Sequence, residues 1–404
     1  MDLRTGETVW QLDDAPHPVL GPLENDLSCE VAIVGGGITG VLVAHELTSS
    51  GIDCALIDKA QLGAGSTAAS TALLLYELDT PLHLLAQQIG EDNAVLAYRA
   101  CHEAIGDIEQ LISNLGDCAD FRRRKSFYLA EHERDISLLE REHQLRRKHG
   151  MAVDLLSRAD IESRFSFSRP AALLSHDAAE LDVVKFVHAL ARNAQAHGLR
   201  AYGDTKLQNV DRVRDGRRFV LRTEHGACIT ARRIVFATGY AAHTMCPPGR
   251  IGDLKSTYAI ATAPLPNFAG WHERALIWTT ARPYLYLRTT ASNRAIIGGE
   301  DVPFVDDEKR DALLRKKSAV LARSLRDLFP EMEFEVACAW TGTFAETKDS
   351  IAFIGESPSD PGIYFALGYG GNGIAYSMVA AQILREACRG RQHPFAHVFR
   401  LDRT

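Results

Sequence analysis

The 404-residue chain lacks several features that would assign it to a class at once. No apolar run approaches the ~20 residues of a membrane-spanning helix, and a net charge of −7 provides no basic field for nucleic acid. Its eight cysteines include no C-x-x-C pair, and its histidines show no metal-ligand spacing. We therefore expect reduced thiols, no metal site, no nucleic-acid partner and a cytoplasmic location, and the acidic, proline-interrupted N-terminal segment does not resemble a signal peptide.

What the sequence does contain is a glycine motif near its beginning, in "CEVAIVGGGITGVLVAHELTSSGIDCALIDKA". Gly35, Gly37 and Gly40 satisfy G-x-G-x-x-G between an apolar strand and an apolar helix, and Asp58 ends the next strand. The helix amino terminus can bind a diphosphate, and the acid can accept hydrogen bonds from a ribose hydroxyl. This pattern predicts a dinucleotide site, and the acid disfavours a ribose 2′-phosphate, so NAD or FAD is expected rather than NADP.

A second glycine turn lies near the C-terminal end, in "ALGYGGNGIAYS". Alone, it would indicate only the start of a helix. A buried strand also precedes the "ATG" of "ARRIVFATGY". Two glycine turns that open helices in distant parts of the chain fit a long cofactor with a flavin ring, so the pattern favours FAD over NAD.

The order of predicted elements indicates an α/β protein. A Rossmann-like beginning and a strand–turn–helix end enclose a middle rich in antiparallel strands, as in "RALIWTTARPYLYLRTTASNRAIIGGED". This order predicts one domain built from separated segments, with a second domain of sheet and helix inserted. Residues 1–28 are expected to be an irregular lead-in.

These motifs resemble, in order and over nearly the whole chain, the D-amino-acid oxidase and glycine oxidase superfamily of flavoenzymes. The branch typified by gamma-glutamylputrescine oxidase is the nearest, on "GAGSTAAST", "ATG" and "ALGYGGNGIAYS". The resemblance implies oxidation of a C–N bond by hydride transfer to FAD, followed by hydrolysis of the imine. It implies an FAD-binding domain and a substrate domain, with the limits 1–80, 150–250 and 335–404 for the first and 81–149 and 251–334 for the second.

The motifs and the resemblance together assign a set of FAD contacts. These are Gly35, Gly37, Ile38, Thr39, Gly40, Asp58, Lys59, Ser66, Thr67, Ala68, Thr238, Gly239, Gly368, Gly370, Gly371, Asn372, Gly373 and Ile374. The sarcosine oxidase branch attaches its flavin through a cysteine at about the position of Gly342, and "GAGSTAAST" holds neither Cys nor His. We therefore expect non-covalent FAD.

The two cations that hold the substrate carboxylate in related enzymes are missing. Alignment of the motifs places Phe344 at the arginine position and Ala375 at the lysine position. Glu77 and Tyr76 follow the FAD-binding turn, and "WTTARPYLYLR" offers Arg282 and further aromatic side chains. The candidate catalytic residues are Glu77, Tyr76, Arg282 and Tyr284, with Trp278, Tyr286 and Arg288 close by in the sequence.

Three functions stay open at this point. The first is an FAD-dependent oxidoreductase acting on an amine or an amino-acid-like substrate, with Glu77 as the expected partner of a substrate ammonium. The second is an FAD-dependent dehydrogenase of 2-hydroxy acids, which Arg282 could serve by binding a carboxylate. The third is a flavin-binding subunit without catalysis of its own, for which a blocked pocket is expected. The oligomeric state is left open.

Overall fold

The computed structural model describes residues 2–12, 17–116, 119–214, 216–239 and 252–403. In this part of the chain the strands form two sheets, and helices cover the smaller sheet. The strands are β1 Arg4–Gly6, β2 Leu27–Val34, β3 Cys54–Ile57, β4 Leu73–Leu74, β5 Arg122–Leu129, β6 Val153–Ser157, β7 Ala171–Glu180, β8 Arg200–Tyr202, β9 Leu207–Arg212, β10 Phe219–Thr223, β11 Cys228–Phe236, β12 Asp253–Thr262, β13 Leu276–Thr279, β14 Leu285–Thr289, β15 Ala295–Pro303, β16 Val336–Glu346, β17 Phe353–Glu356 and β18 Ile363–Leu367.

The helices connect these strands and supply much of the core. They are α1 Val9–Leu12, α2 Ile38–Ser49, α3 Ser66–Ala69, α4 Leu82–Ile89, α5 Glu91–Leu115, α6 Ile136–Lys148, α7 Arg158–Glu162, α8 Val183–Ala196, α9 Asp307–Ala312, α10 Leu314–Leu328 and α11 Gly373–Cys388. Apolar faces of α2, α5, α8 and α11 meet in one buried cluster against the smaller sheet. These faces follow from the helical spacing of apolar residues.

The smaller sheet has the order β17-β18-β11-β2-β3-β8, with β10 and β9 extending it from β11. Strands β18, β11, β2, β3 and β8 run parallel to their neighbours in this series. Because parallel strands align their carboxyl ends at one edge, the turns after β2, β11 and β18 are brought together. The predicted α/β fold with a Rossmann-like FAD region is confirmed.

The larger sheet has the order β1-β16-β12-β15-β14-β13-β5-β7-β4, and β6 pairs with β7. Apart from the parallel pair β13 and β5, its neighbours run antiparallel. The domain limits given above remain a prediction. Strands β6, β7 and β16 lie inside the segments predicted for the FAD domain, yet they pair in this larger sheet.

The lead-in before β2 is more ordered than the sequence suggested. Residues 4–6 form β1, which pairs with β16, and residues 9–12 form a short helix whose Trp10 is buried. The Trp10 indole N–H donates to the carbonyl of Ser70 at 3.0 Å. The expectation of an irregular lead-in is therefore wrong for these residues.

Candidate cofactor and substrate site

The turn between β2 and α2 is closely packed. Gly35 has φ +113°, and a Cβ on it would lie 2.3 Å from the Ala237 carbonyl oxygen. A Cβ on Gly40 would lie 1.8 Å from the Gly35 carbonyl oxygen. Gly40 therefore allows helix and strand to pack, and it does not line the cavity described below. Gly37 has ordinary dihedral angles, and a Cβ there would contact only Thr67 Oγ1, at 3.0 Å.

The amino ends of two helices meet at this turn. The amide of Ile38, the first residue of α2, donates to Thr67 Oγ1 at 3.0 Å. Thr39 Oγ1 lies 2.8 Å from Ser377 Oγ on α11, and Ser377 in turn donates to the Gly373 carbonyl. Both amino ends carry partial positive charge, which suits an anionic group.

Asp58 stands at the end of β3, as the motif predicted. Its carboxylate accepts from the amides of Gly36 at 2.5 Å and Ala60 at 2.8 Å. Burial raises the pKa of this carboxyl, and the two amide hydrogen bonds oppose that rise. The carboxylate is thus fixed in position at the wall where a ribose would bind.

A cavity of about 850 Å³ runs past both glycine turns. Its lining includes sixteen of the eighteen predicted FAD contacts, because Gly40 and Ala68 lie behind the wall. Ser66 Oγ and Thr238 Oγ1 also belong to lining residues, and both are buried hydroxyl oxygens without a hydrogen-bond partner among the described residues. Buried polar atoms without a partner at a cavity wall are compatible with a polar ligand that would form the missing hydrogen bonds.

The second glycine turn is held from the opposite side by Asp79. The Gly371 amide donates to Asp79 Oδ2 at 2.6 Å, and Asn372 Nδ2 donates to the Glu77 carbonyl at 2.8 Å. Burial raises the pKa of Asp79 from 3.8 to about 6, and the Gly371 hydrogen bond opposes the rise. Sequence reasoning missed Asp79, although it lies two residues beyond Glu77 in the same segment.

The far end of the cavity, here called the aromatic end, is lined by Trp278, Tyr284 and Tyr286. Tyr286 Oη lies 3.0 Å from Thr257 Oγ1. Burial raises the pKa of both tyrosines, of Tyr284 well above its usual 10, so their hydroxyls stay protonated. Phe344, which the resemblance places at the position of an arginine in related enzymes, lines the cavity with an apolar side chain.

Glu77 lies at the cavity wall, but its carboxylate is not free. Oε1 accepts from Arg146 Nη1 at 3.3 Å and from Ser175 Oγ, and the Glu77 side chain is about 1% exposed. Oε2 has no hydrogen-bond partner among the described residues. Arg146 also binds Glu142 at 2.7 Å, so two buried carboxylates share one guanidinium. Sequence reasoning did not foresee this cluster, because α6 brings Arg146 in from a distance.

Three other sequence candidates lie behind the wall. Tyr76 is fully buried, with its ring edge-on to Tyr98 and His102, and it does not line the cavity. Arg288 donates to the carbonyls of Ala72 and Leu181, at 2.7 and 2.8 Å. Ala375 is buried inside α11. The substrate-facing role predicted for Tyr76 is therefore not supported, and Arg288 is a structural residue.

Arg282 is exposed and lines a smaller neighbouring cavity of about 420 Å³. Its guanidinium carbon lies 5.4 Å from the centre of the Tyr284 ring. Asp79, Asp301, Glu346 and Lys255 also line this neighbouring cavity, and Lys255 pairs with Glu346 at 2.5 Å. Tyr284 lines both cavities, whereas Arg282 lines only the smaller one.

Within the described ranges, no cluster of three or more His, Cys, Asp or Glu side chains could hold a metal ion. The same residues include no helix long and apolar enough to cross a lipid bilayer.

Comparisons with known proteins agree with this geometry. The family described as "DAO: FAD dependent oxidoreductase" matches residues 30–387. Gamma-glutamylputrescine oxidoreductase of Escherichia coli (strain K12) is 24% identical over 92% of this chain and 86% of its own length. Glycine oxidase of Geobacillus kaustophilus (strain HTA426) is 25% identical over 91% and 94%.

Solved structures share the fold. The crystal structure of glycine oxidase from Geobacillus kaustophilus has a TM-score of 0.77 at 21% identity, over 93% of this chain and 99% of that one. L-proline dehydrogenase from P. horikoshii has a TM-score of 0.77 at 18% identity, over 93% and 97%. The glycine turns, the fixed acid after β3 and the unpaired hydroxyls of the cavity are compatible with an FAD cofactor, and the chain belongs to the DAO family of FAD-dependent oxidoreductases.

Proposed function

We propose that this protein oxidises a C–N bond of a small amine whose body is apolar or cationic. FAD, held without a covalent bond, would supply the acceptor for a hydride from the carbon next to nitrogen, and the resulting imine would be hydrolysed. The relatives named for gamma-glutamylputrescine and glycine oxidation are consistent with this class of reaction.

One observation supports an amine above other substrates: the charged residues that line the cavity near its aromatic end are acidic. Among the described residues, the cations that line the main cavity are Lys59 and Lys206, beside the end of β3, and Arg4, which lies on β1 opposite Gly342 and donates to the Ala64 carbonyl. Near the aromatic end, the charged lining residues are Glu77 and Asp79. A substrate carboxylate buried there would lack a partner, which costs several kcal/mol.

Glu77 is the charge partner that we assign to the substrate ammonium. Its cluster has two carboxylates for one guanidinium, and Glu142 already accepts from Arg146, His83 and two backbone amides. Oε2 of Glu77 has no hydrogen-bond partner among the described residues, so we assign to it the hydrogen bond from the substrate ammonium. The ring faces of Trp278 and Tyr284 can add cation–π attraction.

The competing functions predict different structures or variants. A flavin subunit without catalysis is expected to have a blocked pocket, whereas the described residues leave the cavity open from the glycine turns to the aromatic end. A 2-hydroxy-acid dehydrogenase needs a cation, and Arg282 stands nearest. Bleaching of the flavin by 2-hydroxy acids in the substrate screen would identify this second function.

The test is anaerobic mixing of the yellow protein with primary amines, secondary amines, α-amino acids and 2-hydroxy acids. Loss of the visible absorbance of oxidised flavin reports a substrate. We expect amines to bleach it, and Glu77→Gln to lower kcat/KM for them by about tenfold or more, since ~1.4 kcal/mol corresponds to each factor of ten. Arg282→Ala should keep most of the activity.

Both variants are first checked for bound flavin and unchanged thermal unfolding, because Glu77 also pairs with Arg146. If Arg282→Ala abolishes turnover and Glu77→Gln leaves it intact, the substrate is an acid and the proposal is wrong.

A further inference from the structure

The N-terminal strand β1 forms part of the wall of the FAD cavity. Residues 2–6 all line it. The strand pairs with β16 through Arg4 opposite Gly342, and the Thr343 amide donates to the Leu3 carbonyl at 2.9 Å. Residues 2–6 belong to no glycine motif, yet they line the cavity in which we expect the cofactor to bind.

This strand is held firmly from the outside. Arg310, which is about 2% exposed, donates to the Asp2 carbonyl at 2.5 Å and to Thr5 Oγ1 at 2.9 Å. Its guanidinium also reaches Thr343 Oγ1 at 3.1 Å. The position of the neighbouring Arg4 is thus fixed by backbone pairing and by a buried anchor.

Arg4 is a cation without an anionic partner among the described residues. Its Nε donates to the Ala64 carbonyl at 2.8 Å and its Nη1 to the Gly6 carbonyl at 3.3 Å. Burial lowers the pKa of this guanidinium, with no opposing carboxylate to raise it. A partly buried charge in this state is stabilised when an anion binds beside it.

The contact with Ala64 brings the Arg4 guanidinium to the segment that leads into α3. Ala64 precedes α3, and Thr67 of α3 accepts from the Ile38 amide at the start of α2. The other lining cations are less suited to this place. Lys206 pairs with Glu224 at 3.3 Å, and Lys59 follows Asp58 at the ribose wall.

We propose that Arg4 binds the diphosphate of FAD, and that β1 is therefore a functional part of the cofactor site. The helix amino terminus of α2 contributes backbone amides and a partial charge, whereas Arg4 contributes a full charge and donors in a fixed plane. The guanidinium keeps its backbone contacts through Nε and Nη1, and Nη2 remains available for the anion.

The test is a titration of the apoprotein with FAD in which the change in flavin fluorescence reports binding. The titration is carried out at low and at high NaCl, and the two FAD affinities are compared. Arg4→Met keeps the length of the side chain and removes its charge. We expect FAD to bind about 10- to 100-fold more weakly, as for loss of hydrogen bonds to a charged group. The salt dependence of FAD binding should decrease, and Arg4→Lys should fall between the two.

Riboflavin, which has no diphosphate, distinguishes loss of the Arg4 charge from damage to the cavity wall. Its affinity should be the same in wild type and Arg4→Met. Arg134→Met removes a well-exposed arginine elsewhere, and it should bind FAD as the wild type does. The proposal fails if Arg4→Met binds FAD with wild-type affinity and salt dependence. It also fails if the variant weakens the binding of FAD and of riboflavin equally, since β1 would then only shape the cavity and would not bind the diphosphate.

Discussion

At the scale of single residues, Gly37 and Gly40 of the same motif have different roles. A Cβ on Gly37 would point at the cavity and contact only Thr67 Oγ1, whereas a Cβ on Gly40 would overlap the backbone of Gly35. The first position is therefore reserved for a ligand and the second for packing. The sequence motif alone does not separate these two roles.

We predict that Gly37→Val folds but binds FAD poorly, because its branched side chain occupies the place of the diphosphate. Gly40→Ala should instead destabilise the protein by about 1–3 kcal/mol or more, as expected for overpacking against backbone. Thermal unfolding of both apoproteins and FAD titration check this. The interpretation is contradicted if Gly37→Val unfolds as readily as Gly40→Ala, or if it retains FAD.

At the scale of elements, a carboxylate from α6 fixes the start of α4. Glu142 accepts from the amides of Leu82 and His83, at 2.8 and 3.0 Å, and from the Arg146 guanidinium. This arrangement lowers the pKa of Glu142 from 4.5 to about 2, because the partners outweigh the cost of burial. The cluster therefore connects two helices and also holds Glu77 at the cavity.

We predict that Glu142→Ala lowers the free energy of unfolding by about 3–5 kcal/mol, as for a buried ion pair that loses one partner. A carboxyl whose folded pKa is lowered stabilises the fold fully above its unfolded pKa, and this contribution is lost as pH falls towards the folded value. The difference between wild type and variant should thus be constant near neutral pH and shrink between pH 4.5 and about 2. Urea unfolding at several pH values measures it.

The matched control is Glu109→Ala, which breaks an exposed ion pair with Arg123. Its effect should be only about 0–1 kcal/mol. Equal effects of the two substitutions would mean that the buried cluster contributes no more than a surface pair.

The elements that sequence reasoning predicted are those with local signals. Both glycine turns could be predicted because each lies between a strand and a helix that the same stretch of sequence encodes. Strand β1 was missed because three residues carry no periodicity, and its pairing depends on Gly342 in a distant segment. Asp79 and the Arg146 cluster were missed for the same reason, since their partners come from other elements.

At the scale of the whole molecule, the FAD cavity joins the two sheets. Its lining includes Gly35 and Asp58 from the ends of the parallel strands and Trp278 and Tyr286 from the larger sheet. A ligand that touches both sheets stabilises the folded state without binding the unfolded chain. Bound FAD is thus expected to increase the free energy of unfolding of the whole fold.

We predict that free FAD raises the unfolding temperature of the apoprotein in a concentration-dependent way, with about 2.7 kcal/mol gained at a hundredfold excess over the Kd. Acid precipitation should release the flavin into the supernatant, because no covalent bond holds it. Flavin that stays with the precipitate would contradict the non-covalent assignment, and an unfolding temperature independent of FAD would contradict the linkage.

The pairing of β1 with β16 has a consequence for biosynthesis. Residues 4–6 leave the ribosome long before residues 336–346, against which they lie, and α11 follows later still. Domains tend to fold from the N-terminal side as they are made, but here residues 4–6 can pair only after residues 336–346 have been made. We therefore expect a chain whose synthesis stops before β16 to lack this part of the cavity wall and to bind FAD poorly.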